Sequence, residues 1–121
     1  MKYEWLDDYC LSKKGTTKDY QIDWEAFRFF VGDKMFILLG ADNTGKPIIT
    51  LKSDPLVAYQ LRSDYEDIAP GYHMNKTHWN SVYLEGSVPD EILKRMIDMS
   101  YDLVLNKMSK KKQMEIRGDF R

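Results

Sequence analysis

The residues best suited to chemistry gather in one stretch. Pro70-Gly71-Tyr72-His73-Met74-Asn75-Lys76-Thr77-His78-Trp79 holds both histidines of the chain, an Asn, a Lys and two large aromatics. Lys76 supplies a point charge for a phosphate, and Lys52 and Arg62 add two more cations if the fold brings them close. Asn75 offers both a donor and an acceptor, which suits a base edge. Tyr72 and Trp79 present faces on which an exposed base can stack. The same residues have a plain structural use. Trp79 can pack under a loop, and His73 and His78 can pin irregular backbone by hydrogen bonds. The residue types alone leave both uses open.

Other chemistries find less support. His73 and His78 are five positions apart, with no third ligand at a recognised zinc spacing and no cysteine beside them, so no metal site is expected. There is no Gly-rich phosphate loop, no Gly-x-Ser-x-Gly and no visible Cys–His pairing. No catalytic residue and no cofactor are therefore expected, and the chain reads as non-enzymatic. Cys10 is the single cysteine and cannot form an internal disulfide. It falls on the apolar side of a helix, reads as core, and suits a reducing compartment. Glu4, Asp7 and Asp8 stand where a signal peptide would be apolar, and no run approaches the about 18 apolar residues of a membrane span. A cytoplasmic protein without membrane contact is expected, with a monomer as the default state.

Charge is unevenly placed. The formal net charge is −1, unlike the strong basic bias of a dedicated nucleic-acid binder. Residues 107–121 carry Lys107, Lys110, Lys111, Lys112, Arg117 and Arg121 against Glu115 and Asp119, a net of +4, which leaves −5 for residues 1–106.

These residues need elements to hold them. Tyr3, Leu6, Tyr9 and Cys10 mark one face of a helix over about 2–11, stopped at Gly15. Strands follow at 17–24 (an edge strand), 27–31, 35–40 and 47–52, with Gly32-Asp33-Lys34 turning a hairpin. Met35-Phe36-Ile37-Leu38-Leu39 is apolar on both faces and predicts a central strand covered, at least in part, on each side. In the next strand Ile49 and Leu51 share one face, while Ile48, Thr50 and Lys52 share the other. Ser53-Asp54-Pro55 starts a helix running to about Asp64, with Leu56, Tyr59 or Gln60, and Ser63 on one face, and Val57 and Leu61 beside it. The key stretch precedes a strand at 81–86. Pro89-Asp90-Glu91 then opens the longest helix, whose apolar stripe reads Ile92, Met96, Met99, Leu103 and Met108, thickened by Ile97, Ser100 and Val104. The order α-β-β-β-β-α-β-α predicts an α+β two-layer sandwich, an antiparallel sheet with helices packed on it. Residues 1–108 read as a single α+β domain and 109–121 as a basic C-terminal tail, of which 110–121 is a frayed helical end or disordered.

The stretch from Pro70 to Trp79 resembles the signature of the MmcQ/YjbR family. Gly32-Asp33-Lys34-Met35-Phe36 resembles that family's hairpin, and Leu51-Lys52-Ser53-Asp54-Pro55 its strand-to-helix junction. Tyr83-Leu84, Val88-Pro89 and Ser100-Tyr101 match its C-terminal half. The likeness covers about Met1 to Met108, and the basic tail lies outside it. It implies a CyaY-like fold, similar to bacterial frataxin, and a DNA-binding role with a winged character, without catalysis. The candidate nucleic-acid or ligand contacts are then Lys52, Arg62, Tyr72, His73, Asn75, Lys76, His78 and Trp79. The alternative is a binding module for a small anionic ligand or a protein partner through the His73–His78 loop. A concave pocket holding His73, Asn75 and Lys76 favours the small ligand. A broad positive face continuous with the tail favours nucleic acid.

Overall fold

The computed structural model describes residues 2–72 and 74–118. Six strands are present: β1 (Thr16–Gln21), β2 (Ala26–Val31), β3 (Lys34–Ala41), β4 (Pro47–Lys52), β5 (Ile68–Pro70) and β6 (Trp79–Tyr83). Four helices accompany them: α1 (Leu6–Leu11), α2 (Pro55–Asp64), α3 (Asp90–Asn106) and α4 (Lys110–Arg117). Every strand pairing is antiparallel, in the order β1-β2-β3-β4-β6-β5. Helices cover one face of this sheet, so the chain is the expected two-layer α+β sandwich.

The covered face follows from the alternation of side chains along each strand. Phe29, Ile37 and Leu51 stand in cross-strand register, as do Ile49 and Val82 one row away, and all are fully buried. They meet Leu6 and Cys10 of α1, and Leu93, Met96 and Ile97 of α3, in one core. Ser100 ties α3 to the sheet, its hydroxyl donating to the Phe36 carbonyl at 2.5 Å and accepting from the Lys52 N–H at 2.9 Å.

The two-sided apolar character of β3 has two causes. Phe29 pairs with Ile37 and Phe30 with Met35, so Phe36 is the extra residue of a bulge. The bulge sends Phe36 and Ile37 to the same side, into the core. Leu38 points the other way, toward the face that carries no helix.

Several expectations need correction. α1 begins at Leu6, not near Lys2, although Tyr3 still reaches the core and its hydroxyl donates to the Val88 carbonyl at 2.6 Å. The buried stripe of α3 is Leu93, Met96, Ile97, Ser100, Tyr101, Val104 and Leu105. Ile92, Met99 and Leu103 lie on its flanks, so the stripe is rotated by about one residue from the expected one. In α2, Leu56 is 82% exposed and Tyr59 72% exposed, whereas Ala58 is buried. Leu56 and Tyr59 therefore face solvent, while Leu61 packs against the core. β5 is a three-residue edge strand absent from the expected order. Residues 110–117 form a capped helix of their own where a frayed helical end or disorder was expected.

Candidate functional site

The segment between β5 and β6 uses most of its polar groups on itself. The Gly71 N–H donates to the Trp79 carbonyl at 2.8 Å. A Cβ on Gly71 would stand 2.7 Å from that of Trp79, so the two backbones approach as only glycine allows. The Asn75 side-chain oxygen accepts from the Thr77 N–H at 2.9 Å and the His78 N–H at 3.3 Å, an Asx turn. Lys76 Nζ donates to the Gly71 carbonyl at 3.1 Å. Arg62, on α2, donates through Nε to the fully buried Asn80 side chain at 2.7 Å and through its terminal nitrogen to the Lys76 carbonyl. The His78 carbonyl accepts from the Ser53 N–H at 2.7 Å. Arg62, Asn75, Lys76 and His78 are thus brought together, chiefly as a clasp that closes the loop and fastens it to α2. His73 lies outside the described residues.

The other two aromatic positions diverge. Trp79 is half-buried in β6, in register with Lys52. Tyr72 sits over the helix-free face, where its N–H donates to Ser81 Oγ at 3.0 Å. Met74 joins it there, at the edge of a cavity of about 480 Å³.

Lys52, paired with Trp79 across the sheet, also stands beside Lys107. Burial, and then the ammonium of Lys107 beside it, hold its pKa below the usual lysine value. Lys107 caps α3 and leads directly into α4. The described ion pairs of the chain use Lys13, Lys18 and Arg28, and none uses Lys52 or a cation of α4.

α4 has ordinary boundaries and an unusual charge order. Ser109 caps it by accepting from the Lys112 N–H at 3.1 Å, and Gly118 ends it in the left-handed region with φ 70°. Its first turn is Lys110-Lys111-Lys112, the reverse of the acidic first turn that the helix dipole favours. Packing holds it in place nonetheless. Ile116 lies over the Gly15 and Gly32 turns, so close that a Cβ on Gly15 would stand 2.8 Å from Ile116 Cγ2. Lys14 Nζ donates to the Arg117 carbonyl at 3.0 Å. The described residues from 107 to 118 hold five cations against Glu115 alone. Of this basic group, only Lys52 was among the expected ligand contacts; Lys107 and the residues of α4 were read from the sequence as a basic C-terminal segment, and the fold places Lys107 beside Lys52.

Fold and site define a six-stranded antiparallel α+β sandwich with a clasped loop between its last two strands. The chain belongs to the YjbR family, whose model matches residues 11–103. The uncharacterised YjbR protein of Escherichia coli strain K12 is 34% identical over 108 residues, covering 89% of this chain and 91% of that one. The uncharacterised YyaQ of Bacillus subtilis strain 168 is 35% identical, covering 75% and 87%. A crystal structure from Deinococcus radiodurans, with the family domain DUF419, superposes with a TM-score of 0.81 at 31% identity, covering 93% of this chain and 85% of that one.

Proposed function

We propose that the protein binds nucleic acid weakly, through its phosphates, at the end of the molecule formed by Lys52, Lys107 and α4, and that it is not an enzyme. The observation that carries this reading is Lys107 beside Lys52 at the entry to α4, whose first turn adds the exposed Lys110 and Lys111, without a described ion pair to neutralise any of the four. Three lysines at a helix N-terminus repel the dipole, and a bound phosphate reverses that penalty. A phosphate between Lys52 and Lys107 likewise relieves their mutual repulsion. The strand-to-helix junction Leu51-Lys52-Ser53-Asp54-Pro55, one of the motifs that carry the family resemblance, stands at this same end of the sheet.

The loop from Tyr72 to Trp79 enters this reading as a support. Arg62 and Lys76 already donate to protein groups, which argues against the loop as a separate anion site. The non-enzymatic part is supported by Cys10, buried with its thiol pushed up to about 12 by desolvation first and by Asp7 next, and so a poor nucleophile.

The test is fluorescence anisotropy of a labelled DNA duplex against the full chain across a salt series. Binding whose log K falls with log salt by about 0.9 per phosphate contacted is expected. No binding at low salt sinks the reading.

A further inference from the structure

The face of the sheet opposite the helices is not bare. A cavity of about 480 Å³ opens on it, lined by Trp24, Leu38, Ile48, Tyr72 and Met74 among others, with Asp23 at its rim. That volume falls within the range of small-molecule sites, which are mostly apolar with a few placed polar groups. The floor is kept low by small residues. Gly40 pairs across β3–β4 with Ile48, and a Cβ on Gly40 would come within 3.1 Å of the Ala26 Cβ. Thr50 Oγ1 is engaged with Ser81 Oγ at 2.7 Å, so the floor asks for no polar partner.

The two walls come from distant parts of the chain. One is the 3₁₀ turn Ile22–Trp24 between β1 and β2. It ends at Glu25, whose φ of 50° makes it the one described non-glycine residue in the left-handed region. The other is the loop after β5, which brings Tyr72 and Met74. A flat aromatic side chain thus enters the lining from each wall. Trp24 remains 55% exposed, so one of the largest apolar surfaces on the protein is left at the mouth.

Charge at the cleft is opposite in sign to that of α4. Asp23 is its one charged lining residue, and no described ion pair includes it. Arg28, whose guanidinium lies 5.3 Å from the Trp24 ring, is neutralised by two hydrogen bonds to Asp19.

We propose that this cleft is a second binding site, for a flat aromatic molecule that carries a cationic or hydrogen-bond-donating amine at one edge. The ring lies on the floor of Gly40 and Ile48 between Trp24 and Tyr72. The amine meets the Asp23 carboxylate, and an aromatic anion of the same shape is disfavoured there.

Two probes share one ring and differ in charge: tryptamine and indole-3-acetate. Each is titrated into isotope-labelled full-length protein while amide and indole N–H resonances are followed. Tryptamine is expected to shift Trp24, Gly40 and Thr50 saturably, with an affinity roughly tenfold above that of indole-3-acetate, as one near-surface charge contact allows. Asp23→Asn is expected to keep the unfolding midpoint and tryptamine saturation while removing the preference between probes. The proposal is overturned if tryptamine gives no saturable shift at these residues. It is equally overturned if the two probes bind alike to the wild type, or if Asp23→Asn leaves the preference intact.

Discussion

The loop after β5 and the helix at the C-terminus are both rich in polar and cationic residues, yet they use them in opposite ways. At the loop, Asn75 and Lys76, together with Arg62 from α2, hold backbone in place, each with a named protein partner. In α4, an apolar residue, Ile116, packs on the Gly15 and Gly32 turns, and Lys110 and Lys111 are left to solvent. The contrast teaches that a cluster of functional-looking residues is not thereby a site. A buried or irregular backbone must satisfy its own donors and acceptors first. Only the groups left over can meet a ligand.

Variants separate the two roles. Arg62→Ala removes the donor to Asn80 Oδ1 and leaves that buried oxygen unpaired, with an expected loss of about 2 kcal/mol in urea unfolding. The folded fraction should keep its affinity for duplex DNA. Ile116→Ala should cost less, about 1 kcal/mol, because the side chain is only half-buried. It should, however, weaken DNA binding and expose the last residues to limited proteolysis, since α4 then loses its anchor.

Lys52→Met inverts the pattern. The folded-state pKa of Lys52 is depressed, so its charged form opposes folding at neutral pH, and the penalty lifts only as pH rises toward the unfolded value. Replacing it should leave the urea midpoint unchanged or higher while lowering DNA affinity.

The mildest expected effect lies in the turn between β3 and β4. Asp42 accepts from the Thr44 hydroxyl at 2.6 Å, and also from the Thr44 and Lys46 N–H groups and the Tyr83 hydroxyl, and its pKa is lowered to about 2. A depressed carboxylate stabilises above its unfolded pKa and loses that contribution as pH falls toward the folded value. The Asp42 carboxyl resonance should therefore titrate near 2, and Asp42→Asn should flatten acid destabilisation between about pH 4 and 2.

The α+β layering was legible because alternation in β4 and β6 and the start signal Pro89-Asp90-Glu91 are local. The face of α2 was not, since Leu56 and Tyr59 look like a buried pair and only the tertiary position of Ala58, against Asn80, shows otherwise. β5 is too short for any period to register. α4 had readable ends in Ser109 and Gly118, but its lysine-first charge order argues against a helix unless the packing of Ile116 on Gly15 and Gly32 is known. The cleft was illegible for a related reason: Trp24, Gly40, Ile48 and Tyr72 meet only through the register of β2, β3 and β4 and the fold-back of the loop. Among the singled-out residues, the Asx turn of Asn75 was available in principle from Asn75-Lys76-Thr77.

The central claim is that leftover cations of the α4 end, and not the loop, meet phosphate. Its most direct test compares salt slopes of duplex binding for the triple variant Lys107→Gln, Lys110→Gln, Lys111→Gln and for Lys76→Gln. The triple variant should lower the slope of log K against log salt by about 2 to 3, close to one per phosphate contact removed, while Lys76→Gln leaves it unchanged. A reduced slope for Lys76→Gln with an unchanged slope for the triple variant would contradict the account and return the site to the loop.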